Sequence, residues 1–527
     1  MELAPLIDAL SDSAAYPYPV ESVEVRHTHI SVVFLVGLFA YKIKKPVNLG
    51  FLDFSTLERR RHFCNEEVRL NRRLAPEVYW GVVSVRRTAL GVKLEGQGEA
   101  VEWAVKMKRL PEEATLQRRL QLGQVEDGLL RTLADKIASF HAGAEGGAHV
   151  SAYGRFEVVA RNVRENFVQA APQVGTTLSQ TVFERIRGLT ENALARLRPL
   201  IEQRAARGVP RDTHGDLHLD HVYVFPGRTP DLVIIDCIEF NERFRFADPI
   251  SDMAFLVMDL RFHGRRDLAS KFAEEYFKAS GDEEGRALLP LYTAYRAAVR
   301  GKVEGFELLE EEIPENERAN ALAKARAHWL LSLGELETPG RKPCMVLIGG
   351  LPGTGKSTLA RSLAARAGFK LVRSDQVRKE LAGLRAHDQA PSAFGEGIYA
   401  PAWTERTYAE CLCQTEKLLF EGQRVIVDAS FGKEMNRLSF IEAAARLGVP
   451  VLLIICEANP EVVRQRLEYR QGDASDADWS IYQKAAGRWE GMGPATRNVF
   501  RDIPTGGTKD QALSRALELL GEFSLLG

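Results

Sequence analysis

Cysteine is scarce in this chain, and long apolar runs are missing. Six cysteines stand among 527 residues, at positions 64, 237, 344, 411, 413 and 456, and they form neither a disulfide framework nor the paired spacing of a zinc site. This distribution predicts reduced thiols and a cytoplasmic location. The longest apolar stretch, from Ile30 to Ala40, is far shorter than the roughly 20 residues of a membrane-spanning helix. We therefore expect no membrane association.

The first residues show no signal-peptide pattern, and the net charge is close to zero. The first eight residues, MELAPLID, have neither the basic nor the apolar region of a signal peptide. The formal net charge of −1 and the pI near 6.9 give the whole chain no attraction to nucleic acid or anionic membranes, which leaves a local basic groove open. The 45% hydrophobic and 27% charged residues are typical of a globular protein, and 527 residues are enough for several domains.

The most informative motif follows an apolar run at residues 344–349 that is typical of a buried strand. It has the sequence GLPGTGKST from Gly350 to Thr358 and leads into an amphipathic helix. Glycines let backbone N–H groups turn inward around phosphates, the lysine reaches the β/γ oxygens and the serine hydroxyl can ligate Mg²⁺. We predict an ATP site there. Its binding residues are Gly350, Gly353, Thr354, Gly355, Lys356, Ser357 and Thr358, with Ser357 also a metal ligand.

Two later strands of the second half also end in carboxylates. Asp375 follows the predicted strand at residues 371–373 and is predicted to take a proton from an acceptor hydroxyl. Arg378, one helical turn further on, is predicted to bind a phosphate, although the same spacing also fits an ordinary helix cap. Asp428 ends the strand 424–428 and is predicted to hold the water shell of Mg²⁺.

Two segments of the second half allow a functional and a structural interpretation. On the helix 461–470, Arg466 and Arg470 share one face, so they either stabilise charge on the transferred phosphoryl group or form a solvated surface. The aromatic, glycine-bearing segment 394–408 either lines the acceptor pocket or serves packing. Together, residues 343–520 resemble small P-loop kinases that phosphorylate hydroxyls, including polynucleotide 5′-hydroxyl kinases, gluconate kinases and zeta-toxin-like enzymes, a group often described as an AAA-type ATP-binding domain.

A different phosphate-transfer signature stands in the first half. It has the sequence THGDLHLDH from Thr213 to His221, followed by LVIIDCIEFN from Leu232 to Asn241 and by a helix start at residues 248–252. On these motifs and in this order, residues 20–330 resemble the aminoglycoside phosphotransferase family, relatives of the protein kinases. The resemblance implies a bilobal kinase-like fold.

The resemblance also implies roles for individual residues. Asp216 is the candidate base and Asp236 the candidate Mg²⁺ ligand. Lys42 is the candidate phosphate-binding lysine with Glu67 as its ion-pair partner, while Lys44 and Glu66 are the alternatives for these two roles. Residues 103–107, ending at Met107, resemble the hinge that binds adenine. Asp252 is expected to brace the catalytic loop, and His214 to be a structural hydrogen-bonding group.

Two departures from the family pattern concern activity. The family has asparagine as a metal ligand five residues after the catalytic aspartate, and here that position is His221. Imidazole suits Mg²⁺ poorly because Mg²⁺ prefers oxygen donors, so either Asp220 replaces it or one metal site is lost. No glycine-rich loop precedes Lys42, and we expect the turn at residues 27–31 to cover the phosphates instead.

The pattern of predicted elements completes the expected organisation. Strands at 32–36 and 40–44, joined by a tight turn, indicate an antiparallel N-terminal sheet, and a capping box at residues 55–58 begins a helix. Residues 101–107 are predicted as a strand, and 116–333 as mainly helical. We predict a kinase-like domain at 1–335, with a small lobe up to about residue 108, a linker at 336–342, and a parallel α/β P-loop domain at 343–527.

The sequence therefore predicts an ATP- and Mg²⁺-dependent phosphotransferase with a small polar hydroxyl acceptor. Two alternatives stay open. The P-loop half is a kinase of nucleic-acid 5′-hydroxyl ends, which requires a basic groove beside Asp375 and salt-dependent binding. In the other alternative, the first half is a degenerate kinase that binds a ligand and regulates the second half. The oligomeric state is left open by the sequence.

Overall fold

The computed structural model describes residues 2–89, 91–227, 231–308, 314–385, 397–469 and 478–526. The described strands are β1 Val23–His27, β2 Ser31–Val36, β3 Phe39–Lys44, β4 Tyr79–Thr88, β5 Gly91–Leu94, β6 Glu99–Lys108, β7 Arg211–Asp212, β8 Val222–Val224, β9 Leu232–Ile234, β10 Phe246–Ala247, β11 Cys344–Gly349, β12 Lys370–Arg373, β13 Arg424–Asp428, β14 Val451–Glu457 and β15 Phe500–Pro504.

The helices of the described residues alternate with these strands after residue 343 and predominate between residues 116 and 336. They are α1 Leu3–Ser11, α2 Leu57–Asn71, α3 Leu116–Gln121, α4 Asp127–Gly143, α5 Ala148–Tyr153, α6 Phe156–Ala170, α7 Gln180–Ala206, α8 Glu242–Arg245, α9 Pro249–Phe262, α10 Arg266–Ser280, α11 Leu289–Glu307, α12 Glu315–Leu336, α13 Lys356–Ala367, α14 Ser374–Leu381, α15 Pro401–Phe420, α16 Glu434–Arg446, α17 Pro460–Glu468, α18 Trp479–Ala486, α19 Pro494–Val499 and α20 Lys509–Glu522.

The chain divides into two compact units. The first consists of Met1–Arg161, Leu197–Leu260 and Arg266–Leu289, and the second of Asn162–Arg196, Arg261–Arg265 and Pro290–Gly527. The second unit thus combines helices from the middle of the chain with all of the P-loop region. The domain boundaries at 335 and 343 remain a sequence-based prediction. A helix can pack in one compact unit even when the motifs next to it in the sequence belong to the other.

The first unit contains an antiparallel sheet near its N-terminus. Among the described residues it has six strands in the order β1-β2-β3-β6-β4-β5. The predicted strands at 32–36, 40–44 and 101–107 and the turn between the first two are confirmed. The helix α1 packs its apolar side chains, such as Leu6 and Leu10, against one face of this sheet. One face of the sheet is therefore covered by α1, a feature that was not predicted from the sequence.

The cap of α2 differs from the predicted one by a residue. We expected Ser55 to cap the helix with Glu58 as its partner. The structure instead has Thr56 at the N-cap, where its hydroxyl accepts a hydrogen bond from Arg59 N at 3.2 Å. The neighbouring Ser55 hydroxyl donates to Asp53 Oδ1 at 2.5 Å and is thereby occupied outside the helix. Adjacent serine and threonine offer the same cap chemistry, so the competing Asp53 contact decides between them.

A buried ion cluster holds several segments of the first unit together. The Arg204 side chain is 1% exposed and contacts three carboxylates. Its guanidinium donates to Asp248 Oδ2 at 2.7 Å, to Asp282 Oδ2 at 2.6 Å and to Glu284 Oε1 at 2.9 Å. One arginine on α7 thus ties the start of α9 to the segment after α10.

Replacing Arg204 with methionine is expected to destabilise the protein by about 3–5 kcal/mol, because Asp248 and its neighbours are left with uncompensated charge. The free-energy change is measured as the shift of the first denaturant-induced unfolding transition. The matched control is Arg198→Met, since Arg198 and its partner Glu157 are 57% and 71% exposed. That exposed pair is worth less than about 1 kcal/mol. Equal shifts for both variants would contradict the role given to the buried cluster.

The second unit contains the parallel sheet that the sequence predicted after residue 343. Within the described residues it has five strands in the order β12-β13-β11-β14-β15, and every pairing is parallel. The central strand β11 is buried along its whole length. Because all strands run the same way, the ends of β11, β12 and β13 meet at one edge of the sheet. The described helices include none with the length and apolar character that crossing a membrane requires.

The predicted linker at 336–342 is anchored within the second unit. Arg185 on α7 donates to Glu337 Oε1 at 2.6 Å and to the carbonyl oxygen of Gly422 at 2.8 Å. Glu337 is 7% exposed. The segment also includes a short 3₁₀ turn at Pro339–Arg341. The Arg185 side chain therefore contacts the segment that directly precedes β11.

Candidate active sites

The loop between β11 and α13 has the backbone that the glycine-rich motif predicts. Gly350 and Gly353 have φ angles of +141° and +78°, which other residues rarely adopt. A Cβ atom on Gly350 would also lie 2.7 Å from the carbonyl oxygen of Cys456. Thr354 Oγ1 donates to the carbonyl oxygen of Leu351 at 2.8 Å and closes the loop. The helix begins at Lys356, inside the motif, so its N-terminal N–H groups face the loop.

A cavity of about 320 Å³ lies on this loop. Lys356, Ser357 and Thr358 line one side, and the far side comes from the C-terminal part of the chain. Arg466 on α17 reaches it, donating to the carbonyl oxygen of Thr505 at 2.8 Å. The remaining lining residues are Gly353, Gly355, Leu359, Ser362, Leu467, Gly507, Thr508, Lys509 and Ala512. The predicted Arg470 and residues 386–396 lie outside the described residues.

The two predicted carboxylates of this unit meet at the sheet edge. Asp375 stands in the first turn of α14, directly after β12, and Asp428 is the last residue of β13. Burial raises the pKa of Asp375, and the nearby charge of Lys356 partly offsets this. A carboxyl group with a raised pKa is a better proton acceptor than an ordinary aspartate. The arrangement therefore suits removal of a proton from a hydroxyl next to the phosphate loop.

Asp428 offers an oxygen that fits a magnesium ion. Its Oδ2 accepts a hydrogen bond from Arg373 Nε at 3.2 Å, while its buried Oδ1 has no hydrogen-bond partner among the atoms that the structure describes. Ser357 supplies a hydroxyl at the start of α13. Both are oxygen donors, which Mg²⁺ prefers, so the residues present fit this cation. Asp428 and Ser357 are the residues that would hold it or its water shell.

Arg378 is buried rather than placed at an exposed helix cap. It is 7% exposed, and its Nη1 donates to the carbonyl oxygen of Ile398 at 2.8 Å and to Thr404 Oγ1 at 3.2 Å. Its guanidinium lies 5.1 Å from the centre of the Tyr399 ring. Its buried Nε has no partner among the described atoms. Within the segment 394–408, the Tyr408 hydroxyl accepts a hydrogen bond from Phe431 N at 3.0 Å, and the centres of these two rings lie 5.7 Å apart.

In the first unit, the predicted ion pair between Lys42 and Glu67 is present. Lys42 Nζ lies 3.0 Å from Glu67 Oε1 and 2.7 Å from Asp236 Oδ1. Lys44 contacts the same glutamate, with its Nζ 2.7 Å from Glu67 Oε2, and also pairs with Glu239. The alternative Glu66 pairs with Arg69 on the surface instead, as three-residue spacing on a helix allows. Lys42, Glu67 and Asp236 are therefore brought together, and Glu66 is not.

Asp236 is held in an unusual conformation. Its φ angle is +66°, and its N–H donates to the Tyr79 hydroxyl at 3.2 Å. The next N–H, of Cys237, donates to Asn71 Oδ1 at 2.8 Å. Burial alone would raise the pKa of Asp236, but Lys42 and His221 outweigh burial and hold it at about 2. Asp236 is thus an ionised carboxylate in a fixed position, as a cation ligand needs.

The loop that carries Asp216 is braced as predicted. Asp252 accepts hydrogen bonds from His214 N at 3.0 Å and from Gly215 N at 2.8 Å. His214 is structural too: Nε2 donates to the carbonyl oxygen of Ile235 at 2.9 Å, and Nδ1 accepts from Asp216 N at 3.3 Å. Burial lowers the pKa of His214 to about 4, which keeps the ring neutral at pH 7. These expectations for Asp252 and His214 are confirmed.

A third histidine of this loop, to which the sequence assigned no role, lies against the candidate base. His218 Nε2 lies 2.8 Å from Asp216 Oδ1, and its Nδ1 lies 3.7 Å from Asp259 Oδ2. Asp259 also accepts a hydrogen bond from Leu219 N at 3.0 Å. His218 thus lies against the side chain of the candidate base. Its position two residues after Asp216 was the available signal, while Asp259 stands on α9 and had no local pattern to reveal it.

His221 lies between the candidate base and the candidate metal ligand. Its Nδ1 is 2.8 Å from the carbonyl oxygen of Asp216, and its Nε2 is 3.7 Å from Asp236 Oδ2. Asp220 is exposed and clusters with His218 and Asp259 within 4.8 Å. The imidazole does not fit Mg²⁺ at the place where the family has a carboxamide oxygen. Met107 is a buried residue of β6 paired with Ala40, and its predicted adenine contact remains a prediction.

Comparison with known proteins agrees with two kinase-type regions in tandem. A model of the phosphotransferase enzyme family matches residues 53–292, and a model of an AAA domain matches residues 345–488. The chain is 32% identical over 497 residues to the uncharacterized proteins Rv2004c of Mycobacterium tuberculosis (strain H37Rv) and Mb2027c of Mycobacterium bovis, an alignment that covers 94% of this chain and 95% of theirs. This chain belongs to the family of these mycobacterial proteins.

Solved structures are similar to parts of the chain. Wild-type aminoglycoside 2′-phosphotransferase-IIIa in its GDP complex is 16% identical, with 59% of this chain and 94% of that chain covered and a TM-score of 0.37. A sugar kinase from Janibacter sp. HTCC2649 is 18% identical, with 34% of this chain and 95% of that chain covered and a TM-score of 0.27. The bilobal kinase-like and P-loop fold classes predicted from the sequence are confirmed by the family matches and the sheets.

Proposed function

We propose that this protein is an ATP- and Mg²⁺-dependent phosphotransferase that acts on hydroxyl groups of small polar molecules. The observation that carries the proposal is the phosphate-loop cavity lined by Lys356 and Ser357, with Asp375 and Asp428 on the neighbouring strand ends of the same sheet. Such a site holds a triphosphate, a cation and a proton acceptor together. The scarcity of cysteine motifs supports a cytoplasmic location as part of the same proposal.

The chemistry of the P-loop site follows from these residues. The loop N–H groups and the Lys356 ammonium bind the β/γ phosphate oxygens. Asp375 takes the proton of the acceptor hydroxyl as its oxygen bonds to the γ-phosphorus, and the bond to the β–γ bridging oxygen breaks to release ADP. Mg²⁺, when bound, neutralises phosphate charge beside Ser357 and Asp428. Arg466 and the sequence-predicted Arg470 are proposed to stabilise the charge of the transferred group.

Arg378 supports an acceptor side next to Asp375. A buried guanidinium with an unused Nε–H, held by Ile398 and Thr404, is a fixed donor for an acceptor or phosphate oxygen. In the first unit we propose a second transfer site. There Asp216 takes the hydroxyl proton, and Lys42 with Glu67 binds the phosphates. Met107 is proposed to lie next to the adenine ring of the nucleotide. The similarity in fold does not identify the phosphate acceptor of either site, because these folds occur in enzymes with many different substrates.

A radiolabelled-ATP transfer screen with the full chain tests this proposal. The acceptors are aminoglycosides, sugars, nucleosides and a 5′-hydroxyl oligonucleotide, and the proteins are wild type, Asp375→Asn, Asp216→Asn and the double variant. For an acceptor of the P-loop site, Asp375→Asn should lower transfer by about 10²-fold, since a positioned general base contributes that much or more. Asp502→Asn, at an exposed position of β15, is the matched control and should leave transfer unchanged.

The acceptor that becomes labelled decides between the alternatives. Asp375-dependent transfer to the oligonucleotide, falling steeply with added salt, would establish the nucleic-acid kinase in place of a small-molecule kinase. Label transfer that is insensitive to both Asp375→Asn and Asp216→Asn would remove both proposed bases. ATP binding that is undetectable by calorimetry in the presence of Mg²⁺ would overturn the proposal as a whole.

A further inference from the structure

The carboxylate of Glu67 is shared by two lysines of β3. Lys42 Nζ lies 3.0 Å from Glu67 Oε1, and Lys44 Nζ donates to Glu67 Oε2 at 2.7 Å. The side chains of Glu67 and Lys44 are fully buried, whereas that of Lys42 is 13% exposed. Each oxygen of this carboxylate therefore has its own ammonium, and of the two lysines only Lys42 retains a surface for a ligand.

Lys44 forms a second ion pair with Glu239, deeper in the first unit. Its Nζ donates to Glu239 Oε1, and Glu239 is 7% exposed. The ring centre of Phe54 lies 4.9 Å from the same nitrogen. Burial alone would lower the pKa of Lys44, but Glu239 and Glu67 outweigh burial and raise it. Lys44 is thus a charged group enclosed by two carboxylates and an aromatic ring.

Stability alone does not explain why this position holds an ion pair. An apolar pair of similar volume is often as stable as a buried ion pair, or more stable. The ion pair differs from apolar side chains in one respect, since the Lys44 ammonium binds one oxygen of Glu67 and prevents rotation of its carboxylate. The other oxygen then stays in one place. Lys42 Nζ lies between that oxygen and Asp236 Oδ1, to which it donates at 2.7 Å.

We propose that Lys44 and Glu239 are positioning residues, which hold the ammonium of Lys42 in the geometry that nucleotide phosphates require. They act through the shared carboxylate of Glu67 and do not touch the nucleotide themselves. This inference rests on the proposed nucleotide site of the first unit. It assigns the two lysines of β3 different functions, because Lys42 binds the phosphates and Lys44 fixes the partner of Lys42.

Removing the second ion pair as a whole separates position from stability. Lys44→Met leaves Glu239 buried without its partner and should lower the melting temperature, whereas Lys44→Met/Glu239→Leu should regain most of the loss. The double variant removes one positive and one negative charge, so the net charge is unchanged. It should still bind ATP about tenfold or more weakly, because Glu67 Oε2 has lost a charged hydrogen-bond donor. Calorimetry of the full chain carrying Lys356→Ala reduces the contribution of the P-loop site.

A second measurement needs no nucleotide. Acetic anhydride modifies accessible lysine side chains, and mass spectrometry reports the rate at position 42. We expect severalfold faster acetylation of Lys42 in the double variant, because its ammonium is no longer held by a fixed carboxylate. Glu239→Gln keeps the shape of the side chain and should move both measurements in the same direction by less. The control Lys271→Met/Asp127→Leu removes a pair that is 34% and 72% exposed, and should change neither.

The two measurements distinguish the possible results. Faster acetylation of Lys42 together with weaker ATP binding, at a recovered melting temperature, supports the proposal. Wild-type acetylation of Lys42 in the folded double variant overturns it whatever the ATP affinity, because the pair then serves stability alone. Faster acetylation in a protein whose parent, Lys356→Ala, binds no ATP refutes the nucleotide site of the first unit and leaves Lys44 and Glu239 as the residues that position Lys42.

Discussion

The Lys356→Ala variant of the full chain is expected to lose phosphate transfer through the P-loop site by about 10²–10³-fold. Lys356 is the first residue of α13 and lines the cavity of about 320 Å³. Among the described residues, Lys509 is the second lysine of this lining. Its ammonium gathers charge on the β/γ phosphates, and this charge grows as the bond to the leaving oxygen breaks. Alanine removes that charge and leaves the glycine backbone of the loop unchanged.

The measurement is transfer of label from ATP to whichever acceptor depends on Asp375, together with calorimetric ATP binding. Lys417→Ala is the matched control, because Lys417 is an exposed residue of α15. We expect weaker ATP binding in Lys356→Ala and unchanged binding in the control. Wild-type transfer rates in Lys356→Ala would show that the loop does not hold the transferred phosphate.

The Asp216→Asn variant is expected to lose transfer through the first unit by about 10²–10⁴-fold while it still binds nucleotide. Asparagine has the shape of aspartate but accepts a hydroxyl proton poorly. The groups proposed to bind the phosphates, Lys42 and Glu67, are unchanged, and the loop amides remain tied to Asp252. In this variant the rate of phosphate transfer should therefore fall while the affinity for nucleotide stays the same.

The readout is label transfer to acceptors that do not respond to Asp375→Asn, with nucleotide affinity measured in parallel. Asp135→Asn, at an exposed position of α4, is the control and should behave as wild type. Nucleotide binding in the wild type, without any transfer that responds to Asp216→Asn, would favour the degenerate kinase that regulates its neighbour. Loss of nucleotide binding in Asp216→Asn would contradict the division of roles between Asp216 and Lys42.

Local patterns predicted the elements that carry the sites. Period-two alternation identified β2 and β3, and the all-apolar run before Gly350 identified β11. The glycine positions followed from the motif, because only glycine readily takes the φ angle of +141° found at Gly350. The N-cap residue of α2 could not be predicted from the local sequence. Ser55 and Thr56 have similar cap chemistry, and Asp53, two residues before Ser55, decides which of them caps α2.

The roles of two similar side chains, Lys42 and Lys44, could be distinguished only from the tertiary structure. Lys42 and Lys44 alternate with Tyr41 and Ile43 on the same strand and point to one face, so spacing alone leaves both able to reach Glu67. The structure shows that Lys42 contacts Asp236 as well, whereas Lys44 is fully buried against Glu239. The second partner of each lysine, Asp236 or Glu239, stands about 190 residues further along the chain. The sequence near β3 therefore cannot predict these contacts.

Local patterns were enough to predict the two kinase-type folds and the residues able to do phosphate chemistry, because backbone conformation, strand periodicity and donor type are local properties. How those residues are combined depends on contacts between distant segments. It placed His218 and Asp259 against Asp216, aimed His221 Nε2 at Asp236, and left Asp428 Oδ1 open beside the phosphate loop. Charges and hydrogen bonds act over a few ångströms of space, and folding brings together groups that the chain keeps far apart.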